Sequence, residues 1–527
     1  MVRQYLALRP TPQLRTTYGQ AYRSGRLELL QNYLVEMFTT LGAPERLHRD
    51  GAFTVTAAPS LDWTAHLVGD APDAPILENE LDELIIAHEV EDPDLLRTFR
   101  DFITARVRRS DGDDDVLWIG ADPGGDIADH WCPAGSEHSS FGRRSDARRS
   151  MNIGVLDAGP PPPGQNAKVN VVIIDQGLNR EAILASHPRS WGGGWAHHGH
   201  RPGVAPRTSH GMLVARNILD IAPDAVVYDV PLIPKPAIDS VPLFASTANA
   251  CYRALRLWID VLRTRPRWSG PWIFVNAWAI YDRSSEAPIG DYTENSNTSD
   301  PHSIGHRLNK AVADAALKDG IDVVFAAGNC GTFCPAARCG KLDRGPGRSI
   351  WGANSSSATI TAGAVLTNDM WLGYSSQGPG QQRLGREKPD ICAPSVFAET
   401  NDARAVNGGT STACALTAGV VASLRKGWSS DRVSPQVLKQ TLIDCARRIH
   451  GPGWSARTGY GVLDAGAAFK RLCRDYPTSA ASEVPASPQE VPELAQRQTV
   501  QTGADQTSFL GRLLRRLNDV MRSILRG

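Results

Sequence analysis

The sequence predicts an α/β protein in which helices flank a parallel sheet, with a small N-terminal α+β domain before it and a C-terminal amphipathic helix after it. From residue 169 onward, continuous apolar segments alternate with helical patterns. Segments that are apolar on both faces are typical of parallel strands buried between helices. We expect such strands at residues 169–174, 226–230, 272–275, 323–327 and 359–364.

Residues 1–107 have a different pattern, in which short strand-like segments alternate with helical ones. Residues 4–9 and 53–57 have the composition of strands, whereas residues 27–41 repeat apolar side chains at helical spacing. A further helical pattern covers residues 76–86. This alternation predicts an α+β domain.

Two segments have the composition of connections between domains. Residues 108–168 are rich in Gly, Asp, Ser and Pro and show little periodicity, so we expect a linker before the main α/β domain at 169–476. Residues 477–508 are rich in Pro, Ser, Thr, Gln and Glu and contain few large apolar side chains. Because they cannot bury enough apolar surface to offset the entropy of ordering, we expect them to be disordered.

Residues 509–527 place leucine and other apolar side chains on one helical face and arginines mostly elsewhere. This pattern predicts a basic amphipathic helix. Such a helix could bind a partner protein, self-associate, touch a membrane surface or pack against the main domain. The sequence does not decide among these alternatives.

The charge of the chain argues against one class of partner. Lys and Arg together number 56, as do Asp and Glu, so the chain has no net charge to attract nucleic acid, and we expect no nucleic-acid partner. The N-terminus lacks the apolar segment of a secretory signal, and no later segment is apolar for the length of a membrane span. These features predict a cytoplasmic protein.

Four polar residues stand where elements of the α/β domain begin or end. Asp175 ends the first strand, His210 opens a helix, Asn329 follows a later strand, and Ser411 opens a helix of small side chains. In α/β sheets, functional side chains gather at the carboxyl ends of the strands. Each residue alone is more typical of a turn or a helix cap. Together, however, they occur on the element types, and in the order, that a hydrolytic site requires.

This arrangement resembles the subtilase family of serine proteases, and the resemblance covers residues 169–475. The order Asp, His, Ser is that of subtilisin. A subtilisin-like fold is therefore expected for the α/β domain. Further segments similar to those of the family are 222–225, 361–365, 374–379, 388–394 and 459–465.

The resemblance implies a role for each of the four residues. Ser411 would be the nucleophile and His210 the general base and then the general acid. Asp175 would orient the imidazole, and Asn329 would donate a hydrogen bond to the oxyanion. The implied reaction is hydrolysis of peptide bonds in a protein or peptide substrate through an acyl-enzyme. It requires no cofactor, and whether a structural calcium ion is bound is left open.

The chain departs from the family in two places, and the first of them leaves another function open. Where the family has Asn-x-Ser-x-Gly, residues 276–280 carry Trp278 and Ile280 in place of the serine and glycine. These bulky side chains indicate a crowded substrate cleft and favour the alternative of a catalytically inactive binding module. The Met-Ala-x-Pro that follows the serine in the family is replaced at 412–415. An esterase or acyl transferase using the same site is a further alternative.

Residues 1–107 resemble, in position and element order, the propeptides that precede many subtilases. A permanent accessory domain is the alternative. A propeptide would require Ser411 to cut a bond within 108–168. The pairs Arg143-Arg144 and Arg148-Arg149 are candidate cleavage sites, and a solvated basic linker is the other interpretation of both pairs.

Three cysteines follow Asn329 at close spacing, and three histidines lie in or near a glycine-rich loop. The cysteines are structural thiols or a local disulfide, ligands of a metal ion, or a redox control of the neighbouring site. The histidines belong to a solvated loop or bind a metal ion. These residues are Cys330, Cys334 and Cys339, and His197, His198 and His200.

Overall fold

The computed structural model describes residues 2–57, 63–72, 84–90, 92–107, 116–120, 124–128, 142–158, 168–196, 200–233, 244–283, 304–399 and 402–477. The disordered segment expected at 477–508, apart from its first residue, and the helix expected at 509–527 lie outside these residues, as do His197 and His198. No helix in the described part of the chain is long and apolar enough to cross a membrane.

Strands and helices alternate along most of the described chain. The strands are β1 (Val2–Leu8), β2 (Thr54–Ala57), β3 (Thr64–Leu67), β4 (Leu84–Val90), β5 (Val116–Gly120), β6 (Gly124–Ile127), β7 (Asn170–Asp175), β8 (Trp191–Ala196), β9 (Val226–Pro231), β10 (Trp272–Asn276), β11 (Trp278–Asp282), β12 (Asp322–Ala326), β13 (Ile360–Val365), β14 (Ile391–Pro394), β15 (Phe397–Glu399) and β16 (Asp402–Asn407). The helices are α1 (Pro12–Ser24), α2 (Glu28–Thr40), α3 (Pro93–Val107), α4 (Arg144–Ser150), α5 (Gly154–Ala158), α6 (Arg180–Ser186), α7 (His210–Ile221), α8 (Phe244–Leu262), α9 (Ile304–Leu317), α10 (Gly409–Arg425), α11 (Pro435–Cys445) and α12 (Ala465–Asp475).

The main sheet has eight strands in the order β14-β13-β12-β10-β7-β9-β8-β3. The first seven run parallel, and β3 pairs antiparallel with β8 at the edge. Each of the five strands predicted from residue 169 onward is present, with its ends within one residue of the prediction. The predicted α/β class with a parallel sheet is confirmed.

Helices cover both faces of the main sheet because its strands are apolar on both sides. In β7, Val171 and Ile173 pack into the core shared with α7 and α10, whereas Val172 and Ile174 pack into the core shared with α8 and α9. Small side chains let α10 lie close to α7. A Cβ atom added to Gly419 would be 3.1 Å from Ile221 Cβ.

The N-terminal region forms a four-stranded antiparallel sheet in the order β2-β4-β1-β5. Helices α1, α2 and α3 pack on one of its faces, around Leu6 and Ile86. From the other face, Tyr5 and Ile85 enter the same core as α8 and α9. The α+β region and the main sheet therefore share a hydrophobic core.

Two sequence-based predictions about this region are wrong. Residues 84–86, predicted as helix, begin β4; its side chains are apolar on both faces, a pattern that periodicity alone does not separate from a helix. The segment 108–168, predicted as a linker, contains β5, β6, α4 and α5. Its two strands are stabilised by pairing with β1 and β11, which are distant in the sequence, so the segment shows no period of its own.

Candidate active site

Asp175 and His210 are in contact at the carboxyl edge of the main sheet. Asp175 is the last residue of β7, His210 is the first of α7, and both are buried. Asp175 Oδ1 is 2.7 Å from His210 Nδ1. Ser209 accepts a hydrogen bond from Met212 N and so caps α7, which fixes the start of the helix that carries the histidine.

Asn329 is held by the residue that precedes Ser411. The side-chain oxygen of Asn329 accepts hydrogen bonds from both Thr410 N and Thr410 Oγ1, each at 3.0 Å. Because these bonds fix the amide oxygen, they also fix the direction of the amide nitrogen. Asn329 is therefore linked through Thr410 to the start of α10, where Ser411 lies.

Two donors converge on one backbone oxygen, that of Ala128. Asn329 Nδ2 lies 2.6 Å and Ser411 N lies 3.3 Å from Ala128 O. Ser411 lies in the first turn of α10, where backbone N–H groups lack helical partners and the helix dipole favours negative charge. Ser411 Oγ donates to Ala277 O at 3.3 Å.

The oxygen belongs to a stretch of the chain that lies along β11, residues 124–128, which we call the cleft segment. Its strand β6 pairs antiparallel with β11, with Ile127 opposite Trp278 and Asp126 opposite Ala279. Ala128 N then donates to Ala277 O at 2.7 Å. The site thus holds an extended peptide whose last described carbonyl meets Asn329 and Ser411.

Side chains beside the site contact this segment as well. Tyr281 OH is 3.1 Å from Ile127 O, to which it donates, and it accepts a hydrogen bond from Asn329 Nδ2 at 3.3 Å. Arg338 Nη1 is 2.5 Å from Asp126 Oδ2. Tyr281 therefore contacts both the segment and the amide that binds its terminal carbonyl.

The indole of Trp278 does not fill the edge of β11. It is fully buried, with its ring centroid 4.9 Å from that of Phe244 and 5.0 Å from that of Phe325. The neighbouring positions on the strand, Ala277 and Ala279, are small. The expectation of a crowded cleft at residues 276–280 is therefore wrong, because β11 pairs with β6 along this edge.

The replacement at 412–415 keeps the helix beneath Ser411 packed. Cys414 Sγ lies 3.7 Å from both Asn276 O and Val324 O, and the thiol is fully buried. Burial raises the pKa of the Cys414 thiol, so this cysteine remains a neutral core residue.

A second carboxyl group lies beside the first, on the adjacent strand. Asp229 in β9 is buried and accepts hydrogen bonds from Leu178 N at 3.0 Å and Gly203 N at 2.7 Å. Burial raises the pKa of Asp229 to about 7, the two backbone donors oppose that rise, and the nearby Asp175 adds to it. Asp229 therefore ties together the loops that follow β7 and precede α7.

The cysteines after Asn329 form disulfides. Cys330 is bonded to Cys339, and Cys334 is also disulfide-bonded. The metal-site interpretation of these three residues is wrong, because none retains a thiolate, and no other described group of three or more His, Cys, Asp or Glu side chains could hold a metal ion. The cytoplasmic location stays a prediction. The disulfides argue against it, because disulfides are rare in the cytosol.

Sequence reasoning missed Ala128, Tyr281, Arg338 and Asp229. The segment around Ala128 is too short and too rich in glycine to be recognised as a strand. Asp229 had a usable signal, since it lies near the end of a buried apolar strand, as Asp175 does. The two arginine pairs considered as cleavage sites lie at helix α4: Arg143 precedes the helix, and Arg144, Arg148 and Arg149 lie in it. Arg144 is buried.

Comparison with solved structures finds proteases of several kinds. MycP1 from the ESX-1 type VII secretion system is 18% identical over 71% of this chain and 94% of its own, with a TM-score of 0.43. MycP1 from Mycobacterium smegmatis is 18% identical over 72% and 96%, with a TM-score of 0.42. A lanthipeptide protease is 16% identical over 66% and 99%, with a TM-score of 0.42. No curated protein sequence matches the chain significantly.

The family comparison covers more than half of the chain. The model of the subtilase family matches residues 153–461, a range that contains Asp175, His210, Asn329 and Ser411. This match confirms the resemblance drawn from the sequence and the subtilisin-like α/β fold expected for the main domain. The chain belongs to the subtilase family of serine proteases.

Proposed function

We propose that the chain is a serine endopeptidase that hydrolyses peptide bonds through an acyl-enzyme. The observation that carries this proposal is the position of the Ala128 carbonyl, whose oxygen accepts hydrogen bonds from Asn329 Nδ2 and Ser411 N. Two fixed donors at a peptide oxygen, next to a serine hydroxyl, form the arrangement that stabilises the oxyanion of acyl transfer.

The proposed steps use Asn329 and Ser411 at that carbonyl and, in the role that the family resemblance implies, His210 as the base. Ser411 Oγ attacks the carbonyl carbon and its proton passes to His210, while the oxygen becomes the oxyanion. His210 then protonates the leaving amine as the C–N bond breaks, which leaves an ester on Ser411. Water then attacks the carbonyl carbon of the ester while His210 takes its proton. His210 returns that proton to Ser411 Oγ as the ester bond breaks, which releases a carboxylic acid and restores the hydroxyl. These steps use only groups of the chain and require no cofactor.

The hydrogen bond between Asp175 and His210 gives the carboxylate its role in this scheme. With Asp175 Oδ1 2.7 Å from His210 Nδ1, the proton of the neutral imidazole is held on Nδ1 and its lone pair on Nε2. The carboxylate also stabilises the imidazolium that forms when Ser411 is deprotonated.

The first substrate of the proposed enzyme is its own chain. The cleft segment pairs with β11 as an extended substrate would. The carbonyl that accepts from Asn329 and Ser411 belongs to the peptide bond between Ala128 and Asp129. Cleavage there would separate residues 1–128 from the chain that carries Asp175, His210, Asn329 and Ser411, which favours the propeptide interpretation of residues 1–107 over a permanent accessory domain.

Labelling with a fluorophosphonate, together with cleavage of a peptide mixture, tests the function. We expect the wild type to be labelled and to cleave peptides, Ser411→Ala to do neither, and Ser423→Ala, a matched change later in α10, to behave as the wild type. Asn329→Ala should lose about 10²–10³ in kcat, a magnitude taken from the equivalent donor of subtilisin.

The two alternative functions give different results in the same assays. An inactive binding module would not react with the fluorophosphonate, because that reagent requires an activated serine. An esterase or acyl transferase would be labelled and would turn over ester substrates, but would leave peptides intact. Either result would contradict the proposal.

A further inference from the structure

The contact between Asp126 and Arg338 lies at the rim of the cleft. Counting back from Ala128, Asp126 is the third residue before the bond that the proposed function would cut, the position called P3. Arg338 Nη1 is 2.5 Å from Asp126 Oδ2, and the two side chains remain 28% and 33% exposed. An incoming substrate could therefore offer another side chain to the same guanidinium.

The cleft segment presents its side chains to two different surroundings. Because successive side chains of a strand point to opposite faces, Gly125 and Ile127 share one face and Asp126 lies on the other. Ile127 is buried in the core that contains Trp278 and Phe244. On the face of Asp126, its carboxylate forms the ion pair with Arg338.

Arg338 also contacts an aromatic ring of the site. Its guanidinium lies 4.6 Å above the ring of the buried Tyr281, a cation–π contact. It is carried by the loop 330–339, which the Cys330–Cys339 disulfide closes and which we call the disulfide loop. Cys330 follows Asn329 directly, so the same loop adjoins the amide at the carbonyl and the arginine at P3.

We infer that the disulfide loop selects substrates that carry an acidic side chain at P3, with Arg338 as the residue that recognises it. This inference rests on the proposed endopeptidase function. Because the pair is partly exposed, its effect on binding is modest, and replacement of the P3 carboxylate should reduce kcat/KM by roughly two- to fivefold. High salt should reduce the difference, since it screens exposed charges.

Fluorogenic peptides of the sequence Gly-Gly-Asp-Ile-Ala-Asp-His, with Asp, Asn or Lys at P3, test this selectivity on the full chain. We expect the wild type to prefer Asp over Asn, and Asn over Lys. Arg338→Glu should reverse the order and prefer Lys. Arg348→Glu, an equal change of charge at an exposed arginine just beyond the loop, should keep the wild-type order.

Ratios of kcat/KM between peptides for one enzyme do not depend on how much of that enzyme is active. A cleft still occupied by residues 124–128 in part of the sample would therefore leave the ratios unchanged. Equal kcat/KM values for the three peptides, or the same order in Arg338→Glu as in the wild type, would overturn the selectivity while the endopeptidase function stands. If the wild type neither reacts with a fluorophosphonate nor cleaves any peptide, the proposed function and the selectivity both fail.

Discussion

The cleft segment and helix α4 lie close together in the sequence, yet they are held in different ways. Arg144 in α4 is buried and makes two hydrogen bonds to Glu399, at 2.8 and 2.6 Å, and Ala147 is completely buried in the main core. The cleft segment pairs its backbone with one strand, forms a partly exposed ion pair and buries a single large side chain, that of Ile127. Helix α4 is therefore part of the folded domain, whereas the cleft segment is bound as a peptide would be.

The largest expected effect is an all-or-none one, cleavage between these two segments. We expect purified wild-type protein to contain a fragment that begins at Asp129, because the Ala128 carbonyl lies at Ser411 N and Asn329 Nδ2. Ser411→Ala should remain full length. Intact mass and N-terminal sequencing measure this. Full-length wild type that is nevertheless active would contradict the prediction and leave a permanent accessory domain.

The second prediction concerns the energies with which the two segments are held. Arg144→Ala should lower the free energy of unfolding by about 2–3 kcal/mol, since it removes a largely buried guanidinium that pairs with both Glu399 and Asp220 and leaves Glu399 paired with the more exposed Arg216. Asp126→Ala, the matched change in the cleft segment, should alter it by less than about 1 kcal/mol. Urea unfolding of both changes in the Ser411→Ala chain measures the difference. Equal effects would mean that the cleft segment is an integral part of the fold.

The third prediction extends the comparison to the N-terminal sheet, which lies on the same side of Ala128 as the cleft segment. Burial lowers the pKa of His88 in β4 to about 3. As the pH falls, His88 therefore becomes protonated near pH 6.5 in the unfolded chain but stays neutral in the folded sheet. The free energy of unfolding therefore decreases as the pH falls below 6.5. Between pH 7 and pH 5 we expect a loss of about 2 kcal/mol.

Pulse proteolysis of the Ser411→Ala chain, with peptides from β1 and β4 quantified by mass, measures this loss. His88→Leu should flatten the dependence on pH, because the apolar side chain does not titrate. His48→Leu, a change in the same region at a partly exposed histidine, should retain it. Equal acid sensitivity in His88→Leu and the wild type would assign the effect to other groups.

The sequence predicted some of these features because their causes are local. Strand β7 is apolar on both faces and ends in Asp175, so both the strand and the position of the carboxylate could be predicted. The pairing of β6 with β11 depends on residues far apart in the chain, and the contact of Asp126 with Arg338 spans 212 residues. The sequence of residues 124–128 contains no pattern that predicts pairing with β11 or contact with Arg338. The missed residues are therefore those whose role comes from tertiary contact alone.

The smallest expected effect concerns Gly125, the residue before Asp126 in the cleft segment. A Cβ atom added there would lie 2.1 Å from Phe244 Cε1, and that ring is itself buried and packed edge-on against Trp278. Because the ring has little room to move, Gly125→Ala should lift the segment from β11 and slow cleavage after Ala128 by about tenfold, roughly 1.4 kcal/mol. The change lies in the bound segment and spares the site, so fluorophosphonate labelling of the variant should be at least as fast as that of the wild type. Time courses of the Asp129 fragment after refolding measure the cleavage rate, with Gly154→Ala, at a glycine with open space around its Cβ position, as the matched control. Unchanged cleavage in Gly125→Ala would show that the segment can be cut without lying against Phe244, and it would weaken the view that it is bound in a fixed register.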